Sequence, residues 1–139
     1  MSALTAGAAR PCTRRAGAVL LALAACWSLS ARAGAYEDCV TAGNQNAVMS
    51  CLVAAEKQAN GDLANAEAQV AQKARAVESA TGKAGIHAAL AKSVRDFAAY
   101  RASQCAYVRE MAVREPVAEQ AAIACRVDLT RHRARELRP

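Results

Sequence analysis

Apolar positions recur at intervals of three and four along most of the chain. Val48, Leu52, Ala55, Ala59, Leu63, Ala66, Val70, Ala74 and Val77 fall on one stripe of a helix. Alanine has the best helix propensity, so period and propensity agree over this segment. Gly43 marks a turn before it, and Asn44 or Asn46 is placed to cap its N-terminus. Asn60-Gly61 weakens its middle and is a place for a kink. Thr81-Gly82 supplies its stop.

A second stripe, Ile86, Leu90, Val94, Phe97, Tyr100, Val108 and Met111, predicts a helix from about 84 to 113. Glu115-Pro116 ends it, with the proline placed to begin the next helix. Val117, Ala121, Ala124, Cys125, Leu129 and Leu137 carry a third helix to near the end. No segment alternates as a half-buried strand does. The fold class is therefore all-α: a three-helix bundle or helical hairpin.

The first 35 residues have a different character. Arg10, Arg14 and Arg15 precede an apolar run from Ala16 to Trp27, and two small-residue sites follow, Ala31-Arg32-Ala33 and Ala33-Gly34-Ala35. That order is a signal peptide, with 1–35 as leader and 36–139 as the mature domain. The run is shorter than the roughly 20 residues that span a bilayer. Leu23-Ala24-Ala25-Cys26 also has the form of a lipobox, which offers lipidation at Cys26 as the alternative end point. The expected location is the periplasm or the exterior, or the membrane surface if Cys26 carries lipid.

Export changes the charge argument. The net charge of +6 includes Arg10, Arg14, Arg15 and Arg32 of the leader; from Tyr36 onward there are 14 basic and 12 acidic residues. A near-neutral domain gives no reason to expect nucleic-acid binding. Five arginines between Arg126 and Arg138 make the last helix the basic end, where cations favour the helix dipole.

Export also makes the cysteines informative. Cys12 and Cys26 lie in the leader, and Cys39, Cys51, Cys105 and Cys125 remain. Four cysteines in a small exported domain argue for two disulfides. Three pairings are open. Cys105 and Cys125 stand nearly equidistant from Glu115-Pro116, and Cys39 precedes the turn at Gly43. Both facts favour Cys39–Cys51 with Cys105–Cys125. A straight helix would hold Cys39 and Cys51 about 18 Å apart, so the chain must fold back between them. Alanine buries little apolar area, which makes such staples valuable.

Chemistry-bearing motifs are scarce. There is no glycine-rich phosphate loop, G-x-S-x-G or H-E-x-x-H, and Thr81-Gly82-Lys83 lacks the glycines that precede such a lysine in a P-loop. His87 and His132 sit at no metal-ligand spacing from the cysteines. We expect neither enzyme activity, nor cofactor, nor metal.

Two segments do stand out. Phe97-Ala98-Ala99-Tyr100-Arg101-Ala102-Ser103-Gln104-Cys105 resembles W-x-x-[YF]-R-x-x-x-C, and Cys125 with Leu129-Thr130, Arg133 and Leu137 resembles C-x-x-x-L-T-x-x-R-x-x-x-L. With Cys39 and Met49-x-Cys51, these follow the order seen in the LprI-like lysozyme inhibitors, small exported helical proteins. The chain departs from that family's D-x-x-L-N: Asn60 stands in the Asp slot, Leu63 fits, and Ala64 replaces the Asn. The resemblance implies a binding protein that occludes a muramidase cleft, where two carboxylates do the chemistry. Arg101 or the C-terminal arginines are candidates to enter that cleft. Glu56, Asp62, Glu67 and Glu78 offer an acidic docking face for basic lysozymes. A helical envelope adaptor without inhibitory activity is the alternative. Each motif residue also has a structural reading: Phe97 and Tyr100 as core, and Arg101, Thr130 and Arg133 as ties between helices.

Overall fold

The computed structural model describes residues 34–138, and the leader features, Cys26 and Trp27 among them, lie outside the described residues. Four helices follow in order: α1 (Ala35–Val40), α2 (Gln45–Thr81), α3 (Ile86–Met111) and α4 (Val117–Leu137). The last three are the helices that the periodicity predicts. α1 is an addition, in a segment that reads as polar and is too short for periodicity to register.

The turns are built by the residues expected to build them. Asn44 has extended backbone, and its side chain accepts a hydrogen bond from the Ala47 N–H at 3.0 Å, capping α2. α2 continues unbroken through Asn60-Gly61 for 37 residues, about 55 Å of helix. Gly82 ends it in the left-handed conformation (φ 70°), which glycine adopts without a Cβ penalty. The Glu78 carboxylate then accepts from the backbone N–H of His87 at 3.0 Å, satisfying an orphan donor in the first turn of α3.

α4 is the centre of the molecule. It packs against α1, α2 and α3, and it buries Ala118, Gln120, Ala122, Ile123, Ala124, Val127, Thr130 and Ala134. Those positions go round more than one face, which the stripe read from sequence did not anticipate. The main apolar cluster joins Ala35 and Cys39 of α1, Val48, Leu52 and Ala59 of α2, and Ile123, Ala124 and Val127 of α4. Buried Gln120 donates to the Gln45 carbonyl at 3.3 Å and ties the N-terminal ends of α4 and α2 together.

α3 is held differently. Its only fully buried residue is Cys105. Ile86, Leu90, Val94, Phe97 and Val108 are half-buried, whereas Tyr100 and Met111 are exposed, so the predicted α3 stripe is a boundary and not a core face. For Ile86 and Leu90 the reason is length. Arg133 of α4 reaches Ser93, and α4 ends at Leu137, so Ile86 and Leu90 pack without its central turns. Disulfides Cys39–Cys51 and Cys105–Cys125, with Cα separations of 5.7 and 5.6 Å, are those favoured by the turns. No helix among the described residues is long and apolar enough to cross a membrane.

Candidate functional site

The sequence motifs converge on one region where α2, α3 and α4 run side by side. Arg101 of α3 donates through Nη1 to Asn60 Oδ1 of α2 at 3.0 Å and to Thr130 Oγ1 of α4 at 2.7 Å. Thr130, fully buried, passes its own hydrogen to the Arg126 carbonyl at 2.6 Å. Asn60, in the slot where the related pattern has Asp, is thus the α2 anchor of this tie.

One turn away, Arg133 of α4 donates to Ser93 Oγ at 2.6 Å and to Glu136 Oε2 at 3.3 Å. The guanidinium carbons of Arg133 and Arg101 lie 5.7 and 5.8 Å from the Phe97 ring centroid. At that range the ring attracts both cations. Arg133 Nε is buried without a hydrogen-bond partner.

A second tie lies nearer the start of α4. Arg126 Nε donates to Glu56 Oε1 at 2.5 Å, and Arg126 Nη2 lies 3.6 Å from Glu119 Oε1. The hydrogen bond that Arg126 donates to Glu56 raises the Arg126 pKa further, against partial burial. Arg109 pairs with Glu115 at 2.6 Å and Glu119 at 3.2 Å across the α3–α4 turn. Arg131 reaches back to Asp38 of α1 at 3.1 Å.

These contacts bear on two expectations. Arg101 is fixed between helices by its bonds to Asn60 and Thr130, as its structural reading has it. The acidic docking face loses half of its carboxylates, because Glu56 is committed to Arg126 and Glu78 to the start of α3. Among the C-terminal arginines, Arg135 and Arg138 remain exposed. Leu129 and Leu137, the apolar residues of the second motif, are half-buried along α4.

Tyr100 is the exception among the motif residues. It was expected in the core, but 52% of its surface is exposed. Tyr107 and Met111, seven and eleven residues on, are 58% and 65% exposed on the same face of α3, and Val113 follows at 96%. The face runs for about 16 Å between Tyr100 and Met111. Of the three tyrosines in the chain, two are thus spent on surface while alanine fills the core. Tyrosine and methionine are enriched in protein interfaces, where a large rigid ring buries area at small entropic cost. Sequence reasoning missed this face because it assigned the largest side chains inward.

A shallow groove of 500 Å³ lies on another part of the surface, where α2 and α3 lack a third helix. Ala64, Ala68, Ala71, Leu90, Ala91 and Val94 give it a mainly apolar lining, to which Glu67, His87 and Arg95 add polar groups.

No curated protein and no solved structure matches the chain significantly. The sequence pattern of the family described as lysozyme inhibitor LprI matches residues 36–137, all four helices but for Ala35. The chain belongs to the LprI lysozyme inhibitor family.

Proposed function

We propose that this protein is an exported binding protein that docks on a lysozyme-type muramidase and covers its cleft through the outer face of α3. Family membership supports the partner. The single observation that carries the face is Tyr100: it belongs to the motif, yet it is half exposed while its motif neighbours are absorbed in holding helices together.

The magnitudes are compatible. A standard interface covers about 800 Å² per partner. Two tyrosines of about 150–250 Å² each, a little over half of it still exposed, contribute roughly a fifth to a third of that. Asp96, Glu110 and Arg114 around the strip are of mixed sign, so attachment there rests on apolar area and shape, with little electrostatic steering. Two disulfides support an oxidising compartment, the periplasm or the exterior.

The test is the clearing of a peptidoglycan suspension by lysozymes of several structural classes, with the oxidised protein added at micromolar concentration. Slowed clearing with at least one class is expected. Unchanged clearing with all of them, while pull-downs recover a different envelope protein, would replace this reading with that of a helical adaptor.

A further inference from the structure

The two small-residue cleavage sites differ by two residues, and both of those residues are structured. Ala35 is fully buried, in the cluster of Cys39, Val48, Leu52, Ile123 and Val127. Its backbone N–H donates to Asp128 Oδ1 of α4 at 2.9 Å. The Gly34 carbonyl accepts from the Asp38 N–H at 3.0 Å, the first backbone bond of α1. Cleavage after Ala35 would remove a core methyl, break both bonds and shorten a six-residue helix that carries half of a disulfide. Cleavage after Ala33 leaves all of these intact.

The surroundings of Gly34 point the same way. A Cβ placed on it would lie 2.7 Å from Glu37 Oε2 and 3.0 Å from Asp128 Oδ2, so two carboxylates converge on a Cα that carries only hydrogens. Asp38 stands nearby, and among the described residues the guanidinium of Arg131 is shared between Asp38 and Asp128. Burial, the largest influence, holds the Asp128 carboxyl above its ordinary range, with Glu37 and Asp38 adding to the rise while the Ala35 N–H and Arg131 oppose it.

We propose that the mature chain begins at Gly34, by hydrolysis of the Ala33–Gly34 bond, and that Asp128 and Glu37 hold the new α-ammonium. Water adds across the amide under a leader peptidase of the export route. The acyl carbon leaves as the carboxylate of Ala33, and the Gly34 nitrogen takes up a proton to become the ammonium. The mature boundary thus moves two residues upstream of Tyr36, and folding and processing become linked: the cut supplies the charge that the folded domain needs.

Intact mass and N-terminal sequencing of the protein exported by a bacterial host test the cut. The expected product starts Gly-Ala-Tyr-Glu. A start at Tyr36, or a lipidated Cys26, overturns the proposal. The ammonium is tested separately, on oxidised chains beginning at Gly34, by NMR titration of the terminal nitrogen. Its pKa is expected above the ordinary value of about 8 and is expected to fall in Asp128→Asn. An unshifted value, or one indifferent to Asp128→Asn, overturns the capture. A chain beginning at Tyr36 is expected to melt several degrees lower, and equal melting would contradict the role given to Ala35.

Discussion

Replacing Cys105 and Cys125 by alanine isolates the attachment of α3. The bridge closes a loop of 20 residues, and the chain-entropy relation gives about 3.3 kcal/mol at 25 °C for a loop of that size. A domain of this length has a total stability of about 5–15 kcal/mol, so one bridge accounts for a fifth to two thirds of it. The structure gives little to offset the loss. Cys105 is the only fully buried residue of α3, and the rest of that helix is held by half-buried side chains and the Arg101 and Arg133 ties. At about 4–8 °C per kcal/mol, the melting temperature should fall by roughly 13–26 °C. Circular dichroism at 222 nm, recorded on heating for the oxidised protein and for the double alanine variant, reads this directly. The Cys39→Ala, Cys51→Ala variant, with its 12-residue loop, should lose slightly less, about 2.8 kcal/mol. A fall of only a few degrees in the Cys105–Cys125 variant would refute the reasoning, since α3 would then be held by contacts that the burial pattern does not contain.

Three further outcomes follow from single sites. Asn60→Asp gives Arg101 an ionic partner at its present 3.0 Å; a gain of about 0.2–1 kcal/mol is expected, visible as a higher melting temperature that shrinks in high salt. Leu52→Ala empties a fully buried position in the α1–α2–α4 cluster and should cost about 2.7–5 kcal/mol in urea unfolding. Asp128 concerns pH, in chains whose Gly34 nitrogen is still in peptide linkage. There the folded state holds the Asp128 proton more tightly than the unfolded state, so this carboxyl weakens the fold as pH rises from its ordinary value of 3.8 through its raised folded value. The stability of Asp128→Asn relative to wild type should accordingly improve over that window, and parallel pH profiles would contradict the assignment.

Much of the architecture could be read from residue spacing. The three long helices, the Asn44 cap, the Gly82 stop and the turn at Glu115-Pro116 are local features, and local physics sets them. The disulfide pairing was legible because each pair straddles a recognisable turn. α1 was not, since six residues carry less than two turns of periodic signal. The rotation of α3 was not either. Whether Tyr100 faces in or out depends on where α4 lies, a long-range fact that spacing on α3 does not encode. The same holds for Gln120, a polar residue outside the predicted stripe that α4's central position buries. The motif residues were visible as a set, but their division between a helix interlock and one exposed aromatic required the tertiary arrangement.

This chain has few large side chains, and it spends two of its tyrosines on the outer face of α3. The most direct measurement is the dissociation constant for a susceptible lysozyme of the oxidised wild type and of a Tyr100→Ala, Tyr107→Ala variant shown to melt at the same temperature. As central hot-spot residues the two tyrosines should each cost at least about 1 kcal/mol on truncation, and tenfold in affinity corresponds to 1.4 kcal/mol. A loss of at least about tenfold is predicted. Equal affinity would contradict the claim that the outer face of α3 is the surface that docks.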